Sequence, residues 1–133
     1  MDKIRIPQEI TEQIIYYFNE HLPEEACGIL AGRDNEILIN LPITNQAHSR
    51  VRYYMEPLEL LKALELIESE ELELLAIYHS HPTGPDKPSE TDISEFLYPG
   101  VATIIGFTEN SEWKLKAFII MDGTYKQIDF ETF

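Results

Sequence analysis

The sequence predicts an α/β or α+β fold: a mixed β-sheet flanked by helices. Segments with apolar residues at helical spacing alternate with short apolar runs that end in turn residues. The last third of the chain carries strand-like runs joined by turns, with no helix between them. Helices and strands therefore do not follow the regular βαβ repetition of a doubly wound sheet.

"PQEITEQIIYYFNEH" (7–21) reads as a first helix, because Pro7 suits a first helical position and Ile10, Ile14 and Phe18 recur on one face. "ACGILAG" (26–32) is a strand ended by Gly32, and "EILINLPIT" (36–44) is a second strand after the "RDN" turn. "VRYYM" (51–55) is expected to continue as strand. "PLELLKALELIESE" (57–70) reads as a second helix with Leu58, Leu61 and Leu64 or Glu65 setting its flanks. "LELLAIY" (72–78) is a buried-looking strand that runs directly into His79, and "SETDISEFL" (89–97) a short third helix. "VATIIGF" (101–107), "EWKLKAFIIM" (112–121) and "TYKQIDF" (124–130) complete the chain, the last two joined by an Asp122-Gly123 turn.

A length of 133 residues fits one domain, expected over 1–133, large enough for a core without staples. The single Cys27 excludes an internal disulfide. No apolar run approaches the roughly 18 residues that span a bilayer. Arg5 and Pro7 interrupt the apolar stretch that a signal peptide would need, so a cytoplasmic protein is expected, without membrane contact. Ten basic against 24 acidic residues give a net charge of −14. That field repels phosphate backbones, so nucleic acid is not an expected partner. Glu65, Glu68, Glu70, Glu71 and Glu73 are read as a solvated helix end and loop.

The chemistry concentrates in "HSHPTGPDKPSETD" (79–92). His79 and His81 are two apart at a strand end, so their imidazoles share a face and can converge on one ion, while Ser80 points away. A catalytic zinc site takes three protein ligands and keeps an open position. Asp92, on the following short helix, is the nearest candidate for the third ligand. Ser89-x-x-Asp92 also has the spacing of a capping box, which would fix the angle from which Asp92 approaches. Upstream, Glu24 and Glu25 precede the small apolar strand "ACGILAG" and alternate in direction, so only one of them can point inward.

Together these residues resemble the JAMM (MPN+) zinc metallopeptidases. A Glu, a long gap, then H-S-H-P, with seven residues from the second His to the Ser of S-x-x-D, are filled by Glu25, His79, Ser80, His81, Pro82, Ser89 and Asp92. "PEEACGILAG" is similar to the family's P-x-E-x-x-G segment, a register that selects Glu25 over Glu24. "LPITNQAHSRVRYYMEPLEL" is similar to the segment linking that strand to the second helix. The resemblance implies a deaminase-like sandwich, with His79, His81 and Asp92 binding Zn2+. It further implies Glu25 as general base and Ser89 as the hydroxyl that helps stabilise the oxyanion. Compact members resemble prokaryotic enzymes that trim or detach ubiquitin-like sulfur-carrier proteins. The expected activity is hydrolysis of a peptide or isopeptide bond at the tail of such a partner. A non-catalytic scaffold, as in relatives that lack ligands, is the alternative, and the complete residue set argues against it. A zinc nucleoside deaminase is excluded, since its P-C-x-x-C needs more than one cysteine.

Cys27 is expected in the core rather than as a nucleophile. His21 and His48 are expected in solvent, Asp86 and Lys87 in an exposed turn, and Trp113 in packing. One of Tyr53 and Tyr54 is expected to face the cleft.

Overall fold

The computed structural model describes residues 1–133. Its order is β1 (Lys3–Ile6), α1 (Gln8–His21), β2 (Cys27–Arg33), β3 (Glu36–Ile43), α2 (Pro57–Ser69), β4 (Glu73–His81), α3 (Glu90–Ser94), β5 (Ala102–Glu109), β6 (Glu112–Met121) and β7 (Thr124–Thr132). The strands form one closed sheet in the order β1-β3-β2-β4-β5-β6-β7. It is mixed: β4 and β5 run parallel, β1 runs parallel to both β3 and β7, and the other neighbours are antiparallel.

Turn chemistry sets the hairpins. Asp34 and Asn35 between β2 and β3, and Asp122 and Gly123 between β6 and β7, all have positive φ. Two consecutive left-handed residues match the twist of the flanking strands, which is why short polar residues and glycine occupy them.

The sheet has two differently covered faces. α1 lies against one of them and buries Ile10, Ile14 and Phe18 with Ile4, Ile6, Tyr78, Ile104 and Ile119. Burying each of those helix side chains contributes roughly 1.5–3 kcal/mol. Gly106 of β5 is required beneath α1, because a Cβ there would collide with the Phe18 ring. α2 lies on the other face, where Ala63 and Ile67 pack on Ile29, Ala31, Ile43 and Ile77.

Four expectations need correction. β1 is an additional strand before the first helix, formed by the alternation Lys3-Ile4-Arg5-Ile6, whose two Ile side chains are fully buried. Residues 51–55 are not a strand. They lack a pairing partner beyond a single bridge between Asn45 and Met55, so β-forming side chains alone do not make a strand there. Of the residues expected to set the flanks of α2, Leu58 and Leu61 are exposed, whereas Leu64 is half-buried against the sheet. Ala63 and Ile67 sit four apart and also face the sheet. α3 covers only Glu90–Ser94 and not 89–97.

Candidate metal centre

β2 and β4 lie side by side, with Cys27 opposite His79. His79 and His81 therefore emerge on the α2 face, the same face as Ile77, and the chain entering β2 brings Glu25 beside them. Ser80 turns to the other face, where its hydroxyl accepts a hydrogen bond from the Ala26 amide at 2.9 Å. That bond ties the strand carrying the imidazoles to the residue next to Glu25. Glu25, His79 and His81 are all buried, and one ligand atom from each lies within 4.8 Å of the others. Asp92 arrives from α3, with Oδ1 3.6 Å from His79 Nε2 and Oδ2 3.1 Å from His81 Nε2.

The capping box fixes that approach. Ser89 Oγ accepts from the Asp92 amide at 3.0 Å, and the Ser89 amide donates to Asp92 Oδ2 at 2.8 Å. Because the hydroxyl oxygen acts there as an acceptor, its hydrogen remains free to donate elsewhere.

His81 Nδ1 lies 2.7 Å from the Pro85 carbonyl. A carbonyl only accepts, so Nδ1 carries a proton and Nε2 is the atom presented to Asp92. Burial by itself would lower the His81 pKa. The Asp92 hydrogen bond, the Pro85 carbonyl and the charges of Asp92 and Glu25 outweigh it and hold the imidazole above its ordinary value. For Asp92, burial would raise the pKa, but the His81 hydrogen bond, the His79 charge and the Ser89 amide hold it at about 2. A cation at the Nε2 edge satisfies Asp92 whether it is a proton or a metal ion.

His79 decides between those two. It is fully buried, yet neither of its ring nitrogens has a hydrogen-bond partner, and Glu25 Oε1 is likewise unpartnered. The nearest carboxylates, Glu25 Oε1 at Nδ1 and Asp92 Oδ1 at Nε2, are each 3.6 Å away, too far for a hydrogen bond. Leaving a buried polar atom unpaired costs about 1–3 kcal/mol. Two buried imidazoles beside buried carboxylates, with His79 and Glu25 atoms left unpartnered, form a donor set that fits a divalent metal ion.

Tyr53 closes one side of the centre, stacking on His79 with ring centroids 4.4 Å apart and 27° between planes. Burial, followed by the charge of Asp92, keeps its phenol protonated. A cleft of about 480 Å³ begins beyond it, lined by Met55, Leu60, Phe96 and Tyr98 and touching the centre through Tyr53 and Asp92. Tyr54, largely exposed, lines the same cleft, so both tyrosines reach it rather than one of the two.

Residues 7–118 match the family of prokaryotic homologs of the JAB domain. The chain belongs to that family. A probable TtuB-protein conjugate cleaving protease of Thermus thermophilus is 38% identical over 119 residues, covering 89% of this chain and 76% of the relative. A desampylase of Pyrococcus furiosus is 37% identical over 99 residues, covering 74% and 68%. A protein from Desulfitobacterium hafniense, solved in solution, superimposes with a TM-score of 0.87 at 25% identity over 98% of this chain and 92% of that one. A JAB1/MPN domain protein from Archaeoglobus fulgidus shares the fold, with a TM-score of 0.62 at 18% identity over 98% and 96%.

The remaining singled-out residues are structural. Cys27 is buried, and burial, then Glu25 and Glu59, push its thiol up to about 12, which makes it inert as a nucleophile. Trp113 packs on Phe18 and donates to Asn19 Oδ1. Asp86 pairs with Lys116, and Lys87 is exposed. His48 is exposed beside Glu24, and His21 ends α1 in solvent. One buried polar residue, Asn45, carried no recognisable signal in the sequence.

Proposed function

We infer that this JAB-family chain is a zinc peptidase, one domain over residues 1–133 acting in the cytoplasm. It hydrolyses the peptide or isopeptide bond at the C-terminal tail of a ubiquitin-like protein of the sulfur-carrier type. The observation that carries this reading is the set of orphaned buried atoms on His79 and Glu25, beside His81 and Asp92 at the end of an apolar cleft. The relatives named as conjugate-cleaving protease and desampylase support the substrate class.

His79, His81 and Asp92 are the ligands in this reading. His81 Nδ1 is committed to the Pro85 carbonyl, which leaves Nε2 as its ligating atom. The Nε2 atoms of both imidazoles face Asp92, whereas Glu25 faces His79 Nδ1. Glu25 thus belongs outside the ligand set, as the general base. Bound zinc supplies a lowered water pKa and a polarised scissile carbonyl. The Glu25 carboxylate takes the proton from the attacking water and returns it to the leaving amine. Ser89 keeps its oxygen on the Asp92 amide and donates its free hydrogen to the developing oxyanion. Tyr53 shields the His79 ring from solvent and strengthens the local electrostatics.

The test is to incubate zinc-loaded protein with ubiquitin-like proteins carrying C-terminal extensions and to read intact mass. Release of the extension, lost on chelation and restored by zinc, is the expected result. A protein that retains no zinc when the ion is supplied overturns the ligand set.

A further inference from the structure

The loop between β3 and α2 is held closed by paired backbone: Glu56 donates to the Thr44 carbonyl at 3.0 Å and Gln46 to the Tyr54 carbonyl at 2.8 Å, around the Asn45–Met55 bridge. Its far end reaches the entrance of β2, where the Glu25 amide donates to the Ser49 carbonyl at 2.7 Å. At the centre sits Asn45, 6% exposed, with both ends of its amide fully used. Nδ2 donates to the Glu25 carbonyl at 2.9 Å and to the Arg52 carbonyl at 3.1 Å. Oδ1 accepts from the Ala47 amide at 3.0 Å and the Tyr54 amide at 2.9 Å. The two strap contacts bracket Tyr53, the residue stacked on His79. One side chain therefore joins the backbone of Glu25 to the backbone that carries the cover of His79.

We propose that Asn45 is a positioning residue that sets Glu25 and Tyr53 relative to His79 by clamping the Glu25 carbonyl to the 52–54 strap. The inference rests on the peptidase reading for its rate consequence, and on geometry alone for the clamp. Only an amide does this, since the position needs two donated and two accepted bonds in one planar group. Asp at the same place keeps the acceptor for Ala47 and Tyr54 but turns the donor into an oxygen facing two carbonyl oxygens. The strap must then move away from Glu25. A shift of about 1 Å in a reacting group can cost about 10²-fold in rate.

The experiment compares wild type, Asn45→Asp, Asn45→Ala, Gln46→Ala and Tyr53→Leu by NMR of the His79 ring protons in zinc-loaded protein, together with kcat and KM. Tyr53 shifts the His79 protons through its ring current, and Tyr53→Leu defines the unstacked position. Asn45→Asp is expected to move them most of the way to that position and to lower kcat about 10²-fold with KM little changed. Asn45→Ala should act in the same direction, while Gln46→Ala, an exposed neighbour outside the amide's bonds, leaves both readings at wild type. Three results overturn the proposal. They are an unchanged His79 shift in both Asn45 variants, a lost shift with wild-type kcat, or collapse of the Trp113 indole and core methyl signals, which would make Asn45 a general determinant of the fold. If wild type cleaves no tail, the peptidase reading falls while the His79 protons still decide whether the clamp exists.

Discussion

The two faces of the sheet are built to different standards. On the α1 face, 16 buried residues from every strand and the helix form one cluster, and nothing in it titrates within the usual pH range. On the α2 face only six residues are buried in the cluster, ten more are half-covered, and Leu58 and Leu61 stay in solvent. The centre and its cleft lie on the second face. A loosely covered face supplies room for a substrate, and the densely packed one holds β2 and β4 still beneath it. Stability and chemistry are thus divided across the thickness of one sheet.

That division can be tested from the largest expected effect downward. Glu25→Gln should keep zinc and fold yet lower single-turnover cleavage by about 10²–10⁴, because Gln cannot take the proton. Glu24→Gln, on the residue that turns outward toward His48, should cleave like wild type. If the two variants behave the other way round, the assignment of the base is one residue out of register. On the α1 face, Phe18→Ala should cost about 3–5 kcal/mol in denaturant melts while the remaining folded protein still binds zinc. A loss of zinc affinity in that folded fraction would show that the faces are not independent.

Ser89→Ala straddles the division. Loss of the cap should cost about 1 kcal/mol of stability, and loss of the donor about 10²–10³ in kcat. Reduced stability with unchanged kcat would leave Ser89 a purely structural cap. The smallest effect belongs to Leu58→Ala and Leu61→Ala, each expected within about 0.5 kcal/mol of wild-type stability since neither side chain is packed. A melt shifted by more than that would mean the α2 face is covered in solution.

What the sequence revealed follows the range of the interactions. Residues 79–92 were legible because the two imidazoles, the cap and the carboxylate lie within one strand end and one turn, where spacing alone fixes direction. Glu25 was reachable only through its family register, since nothing local distinguishes it from Glu24. Asn45 and the stacking of Tyr53 on His79 were not legible, because each joins segments whose proximity exists only once β2, β3 and β4 are paired. The facing of α2 failed for a related reason. Its Leu residues occur on several sides, and only Leu60 and Leu64 line up with the buried Ala63 and Ile67 against the sheet.

The short strand β1 has a consequence for how copies of this protein meet one another. It meets β3 through a single register pair, Arg5 with Glu36, and runs beside β7 for four residues. Those few contacts turn an open ribbon into a ring. In a ribbon, the outer strands would expose rows of unpaired amides and carbonyls, a template onto which another chain can add. In the ring β1 occupies the β7 edge over Asp129–Thr132 and meets the β3 edge at Glu36, and Ile4 and Ile6 are sealed inside. Four residues at the seam thus stand between a chain that ends its pairing on itself and one that could continue it into a neighbour.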